Sequence, residues 1–113
     1  MIKIYGIKNC DSVKKALKFF KEHQLEYELF DFKTKPLPCS KIDEWLQKTD
    51  INTLFNSRST TYRNLKLKEL NLSDEDKKEW LCKENLLIKR PVVEFDEKLL
   101  VGFKEEEYKR IFL

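Results

Sequence analysis

A chain of 113 residues is long enough to bury one core of ordinary domain size, and 41% hydrophobic with 12% aromatic content excludes a disordered polypeptide. Charge is abundant at 38% of residues but nearly balanced, 23 basic against 20 acidic and +3 net, with the signs interleaved; this describes a solvated surface and argues against direct nucleic-acid binding. No apolar run approaches the ~20 residues that span a bilayer, and "MIKIYGIKNC" is too short and too polar for a secretory h-region.

The expectation is therefore a cytoplasmic protein with no membrane segment. Its cysteines, Cys10, Cys39 and Cys82, are odd in number and lack C-x-x-C spacing, so they are expected to be reduced. With one histidine and no His/Cys cluster, no metal site is expected.

In chain order, "IKIY" at 2–5 alternates as a short strand should, and Gly6 breaks the pattern. Val13, Ala16, Leu17 and Phe20 then fall on one stripe of a helix running from Asp11 to about His23. Residues 26–32, "EYELFDF", read as a second strand closed by the proline-punctuated "KTKPLPCS". Ser40 with Asp43 resembles a capping box, opening a helix with Ile42, Trp45 and Leu46 on one face. Residues 51–71 read as short helices joined by polar turns. Ser73 with Asp76 repeats the capping signal for a helix to about Glu84 that buries Trp80 and Leu81. "PVVEF" and "KLLVGF", separated by "DEK", read as a β-hairpin, and a last helix over 104–112 would bury Tyr108, Ile111 and Phe112.

The order β-α-β, helical stretch, β-β-α is the plan of a thioredoxin/glutaredoxin-like α/β fold. The chain is read as a single domain, 1–113, with an α-helical insertion at about 40–86.

Cys10 stands where the first strand ends and the first helix begins. There it would face the unsatisfied N–H groups of the first turn and the positive end of the helix dipole, which favours the thiolate by roughly 0.3–1 kcal/mol. Thiolate is the nucleophilic form. Lys8 in the same loop adds positive charge, and the polar flanks "KNC-DS" argue against an ordinary buried cysteine. Asp11 opposes the effect unless it serves as the helix cap. His23, roughly 20 Å away along the helix at 1.5 Å per residue, is too far to be a general base.

Three segments, "IYGIKNCDSVKKAL", "LFNSRSTTYRNL" and "LIKRPVVEFDEKLLVGFKEEEY", together resemble the ArsC/Spx family, the arsenate-reductase-like branch of the thioredoxin fold, and within it the small YffB-type members. The resemblance spans essentially the whole chain. It implies that Cys10 is the catalytic nucleophile, that Arg90 lies in the active site, and that Pro91 is a cis-proline, with Asn9 a structural residue of the cysteine loop. It further implies that Arg58 in "NSRSTTYR" binds the anionic part of a substrate with Arg90 and Lys8, although Arg63 is an alternative for the inward-facing arginine. Arg110 is read as surface.

The chain departs from the family in two places. Arsenate reductases of the family carry a third arginine beyond the Arg-Pro pair, and "VVEFDEKLLVGF" has none. Redox-regulated Spx members carry C-x-x-C, whereas "CDSV" has Val13 at the second position.

The resulting expectation is a monothiol oxidoreductase with no bound cofactor and glutathione as co-substrate. It would act on a small thiol, an oxyanion or a protein disulfide, and work as a monomer. Two alternatives stand beside it: a non-catalytic Spx-like adaptor that binds RNA polymerase, and an arsenate reductase.

Overall fold

The computed structural model describes all residues, 1–113. Four strands form one sheet in the order β2-β1-β3-β4: β1 Ile2–Gly6, β2 Tyr27–Asp31, β3 Val92–Phe95 and β4 Lys98–Val101. β1 runs parallel to β2, with Ile4 opposite Leu29, and antiparallel to β3, with Ile4 opposite Val93. A parallel pair requires a crossover, and helix α1, Asp11–Glu22, supplies it. β3 and β4 form an antiparallel hairpin turning at Asp96 and Glu97, both with positive φ (47° and 65°). That is the backbone twist a two-residue hairpin turn demands. Helix α6, Glu105–Phe112, carries three glutamates in its first turn and Lys109 and Arg110 in its last, matching the helix dipole at both ends.

The chain divides into two compact units: a sheet unit, Met1–Lys33 with Arg90–Leu113, and a helical unit, Thr34–Lys89. In the sheet unit, Ile2, Ile4, Ala16, Phe19, Phe20, Val93, Leu100 and Tyr108 form the core. Phe19 joins the expected α1 stripe, whereas Leu17 is only partly buried. Tyr108 and Phe20 are fully covered, and Ile111 and Phe112, expected to be buried, are half-buried against the same core.

The helical unit contains α2 Cys39–Leu46, α3 Ile51–Leu54, α4 Thr60–Asn64, a 3-10 turn at Leu67–Leu70, α5 Asp74–Lys83 and a second 3-10 turn at Asn85–Leu87. The capping box at Ser73 and Asp76 forms in both directions. At α5 only Leu81 is buried; Trp80 is half-exposed, with the Lys83 ammonium 5.5 Å from its ring centroid.

The capping box expected at Ser40 and Asp43 does not form. Pro38 holds the N-cap position with φ −70°, the value its ring imposes, and the helix begins at Cys39, two residues before the start that a Ser40 cap would set. Asp43 instead pairs with Lys78 of α5.

The expectation of reduced cysteines is corrected as well. Cys39 and Cys82 form a disulfide between α2 and α5, with Cα atoms 5.0 Å apart, and Cys10 is the free cysteine. Spacing alone could not reveal this, because 43 residues separate the pair in sequence.

Candidate functional site

β1 runs through Gly6 instead of stopping before it. Gly6 pairs with Asp31, and its carbonyl accepts the Phe32 N–H at 2.8 Å. The glycine is needed for contact: a Cβ at this position would lie 2.7 Å from Val13 Cγ2 and 3.9 Å from Arg90 Cβ. The first distance is shorter than any packed carbon pair tolerates, so the missing side chain is what lets the first turn of α1 close down on the strand end. Arg90 is drawn to the same point. Sequence reading treated Gly6 as a strand breaker; the available signal was a lone glycine directly before a cysteine loop in a chain with two glycines.

Ile7 turns inward and is buried, while Lys8 and Asn9 are exposed. Cys10 follows, half-buried, at the N-cap of α1 itself, with extended backbone (φ −144°, ψ 124°) and its carbonyl accepting the Lys14 N–H at 2.9 Å. Asp11 is thus the first helical residue and not the cap. The N-cap position ordinarily holds an oxygen-bearing side chain that accepts a first-turn N–H. Here it holds a thiol and no side-chain cap bond forms. The N–H groups of the first turn of α1 therefore receive no side-chain acceptor at the cap.

The Arg90–Pro91 peptide is cis, and Pro91 is buried with its carbonyl accepting the Gly102 N–H at 2.8 Å. Arg90 is half-buried, and its guanidinium has no internal carboxylate partner. A partly buried guanidinium without a counter-charge is poised to take an external anion, bidentately if that anion is a carboxylate or an oxyanion. Cys10, Lys8, Asn9, Arg90 and Pro91 all belong to the sheet unit. His23 closes α1 at its far end, its Nδ1 2.8 Å from the Phe19 carbonyl oxygen.

Arg58 belongs to the helical unit and is exposed. Its N–H donates to Asn56 Oδ1 at 3.0 Å, forming a tight turn. Arg63, the alternative, donates Nη1 to the Arg58 carbonyl at 3.1 Å and Nη2 to Thr60 Oγ1 at 3.3 Å. Arg63 is thereby committed to holding the turn, and Arg58 keeps its own guanidinium available. A groove of about 650 Å³ in this unit is lined by Arg58, Tyr62, Arg63, Lys66, Lys68 and Glu69, a predominantly basic set. Arg110 is exposed on α6.

Sequence reading also missed Asn85, the buried polar anchor of the helical unit. Its Oδ1 accepts the Leu37 N–H at 2.9 Å and its Nδ2 donates to the Leu81 carbonyl at 3.0 Å.

Residues 5–111 match the model of the ArsC family. A solved structure of a protein named YFFB superimposes with a TM-score of 0.92 at 31% identity, covering 100% of both chains. An arsenate reductase (ArsC) related protein from Brucella melitensis is 36% identical with a TM-score of 0.77, over 98% of this chain and 93% of that one. The global transcriptional regulator Spx of Lactiplantibacillus plantarum is 27% identical over 112 residues, 97% of this chain and 86% of the regulator. The sheet order and the full-length superposition establish the thioredoxin-like α/β fold.

Proposed function

The chain belongs to the ArsC family, and on that premise we propose that it is a cytoplasmic, monomeric thiol oxidoreductase with Cys10 as nucleophile and glutathione as the resolving thiol. One observation carries the reading. The free cysteine sits half-buried at an uncapped helix start, and Arg90, half-buried and without an internal partner, approaches the end of the strand that leads into it.

In the first step the Cys10 thiolate attacks one sulfur of a substrate disulfide, such as a glutathione mixed disulfide. A Cys10–glutathione bond forms and the substrate leaves as thiolate, which takes a proton from solvent. A second glutathione thiolate then attacks the glutathione sulfur of that adduct, releasing glutathione disulfide and the Cys10 thiolate. The net exchange turns the glutathione mixed disulfide and one added glutathione into the substrate thiol and glutathione disulfide. Arg90 would hold a glutathione carboxylate, with Lys8 as a further cationic group of the same unit. An external thiol is required because Val13, where C-x-x-C would place a second cysteine, is a fully buried valine. The sheet unit offers Cys10 no intramolecular partner.

Intact-mass spectrometry of protein oxidised with glutathione disulfide tests this. The expected product carries one glutathione, mapped to Cys10. Cys10→Ser should abolish turnover of a glutathionylated peptide, and the Cys39→Ser/Cys82→Ser double variant should retain it. Arg90→Ala and Arg90→Lys should both weaken glutathione binding, since lysine keeps the charge but loses the fork. A peptide linking Cys10 to Cys39 or Cys82, or undiminished turnover in Cys10→Ser, would overturn the monothiol mechanism.

The similarity to Spx favours a second reading, a non-catalytic regulator that binds RNA polymerase. Co-purification with polymerase together with an inert Cys10 would select it. Arsenate reduction is disfavoured because residues 92–103 contain no arginine; arsenate should fail to oxidise the protein at rates competitive with disulfides.

A further inference from the structure

The Cys39–Cys82 disulfide lies wholly in the helical unit and has no part in the chemistry proposed for Cys10. Its setting is not that of a sealed structural bridge. Cys39 is exposed as the first residue of α2, and Cys82 is half-buried in the last turn of α5, so an external thiolate can reach the pair from solvent. Exposed disulfides are the readily exchanged ones, while inert bridges are sequestered.

The two cysteines are also held together by contacts that do not depend on the bond. α2 packs on α5, with Ile42, Trp45 and Leu81 buried. Asp43 pairs with Lys78 across the same two helices. Asn85, just beyond α5, anchors the segment leading into α2 through the Leu37 N–H. Opening the bond therefore leaves both sulfurs close, ready to close again. Exposure allows opening, and the surrounding clamps favour re-closure.

We infer that Cys39 and Cys82 form a second, reversible thiol–disulfide site, independent of Cys10 and exchanging with small thiols. A thiolate attacks the exposed Cys39 sulfur, the S–S bond breaks, and Cys82 leaves as thiolate and is protonated by solvent. A second small thiolate attacks the outer sulfur of the mixed disulfide, releasing Cys39 and a small-molecule disulfide. Two electrons and two protons enter the protein, and closure reverses each step. The bond closes the chain from residue 39 to 82, the span that contains the basic groove around Arg58.

The test uses the folded Cys10→Ser chain, so that failure of the Cys10 mechanism cannot alter the result. The protein is equilibrated, from both the oxidised and the reduced side, in buffers of stepped reduced-to-oxidised glutathione ratio. It is then acid-quenched, alkylated under denaturing conditions and weighed. Two populations are expected, with no alkyl group or with two, meeting at one midpoint from both directions. The reduced protein should remain folded by circular dichroism but melt at least ~5 °C lower, as loss of a long-loop cross-link implies. The Cys39→Ser/Cys82→Ser variant, carried on the same background, should melt with the reduced form at every ratio. Two alkyl groups under all oxidising conditions would show that the pair does not close. None in excess dithiothreitol with the protein folded would show an inert brace. Either result overturns the inference.

Discussion

The two units are stabilised by different means. In the sheet unit, α1 and α6 have no side-chain N-cap bond, yet their aromatic residues interlock. Tyr108 meets Phe19 and Phe20 at 5.7 Å and Phe103 at 4.8 Å between ring centroids, and Phe20 meets Phe112 at 5.1 Å. In the helical unit, α3 has 4 residues and α4 has 5, lengths that cannot sustain a helix alone. Asp50, Ser59 and Ser73 each accept an N–H at the start of α3, α4 and α5, and Asn85 and the disulfide tie the segments together. The sheet unit's helices are held by burial against the sheet, whereas the one-turn helices of the other unit rely on caps, a polar anchor and a cross-link.

The largest effect should come from Phe20→Ala. It removes a fully buried ring from the sheet-unit core and should cost about 3–5 kcal/mol in urea unfolding. Asn85→Ala should cost less, about 1–3 kcal/mol, by leaving the Leu37 N–H and the Leu81 carbonyl unpaired. Limited proteolysis separates the two variants. Asn85→Ala should bring new cleavages within 34–89, whereas Phe20→Ala should bring them throughout the chain. Identical cleavage maps would break the contrast between the units.

The smallest effect belongs to Tyr108→Phe, and it depends on pH. The Tyr108 hydroxyl donates to the Gly102 carbonyl at 3.0 Å, so its loss should cost roughly 1 kcal/mol at neutral pH. Burial, reinforced by the nearby Glu107 charge, holds this phenol well above the ordinary tyrosine range. A raised folded value means the contribution is complete below the unfolded value near 10. It is lost as pH climbs beyond that, because only the unfolded chain then ionises. The urea midpoint of the wild type should therefore fall toward that of Tyr108→Phe, and then below it, as pH rises past about 10. Parallel midpoint curves would mean that this buried hydroxyl does not govern alkaline stability.

What the sequence determined by itself was everything written in short-range pattern. The alternation of "IKIY", the stripe from Val13 to Phe20, the Ser73–Asp76 box and the apolar runs flanking "DEK" each encode an element within one or two turns of chain. Their order was enough for the thioredoxin-like plan, and the position of Cys10 between strand and helix was legible for the same reason.

Tertiary structure decided what depends on residues distant in sequence. Gly6 matters because Val13 fills the space a side chain there would need. Asp43 left its expected capping role for Lys78 on another helix. Arg63 was committed and Arg58 left available by hydrogen bonds that form only once the 58–63 turn has folded. Cys39 met Cys82 across 43 residues because Asn85 and the α2–α5 packing bring those helix ends together. Periodicity records which face of an element is buried, but not which distant residue will lie against it, since that is settled only when the elements pack.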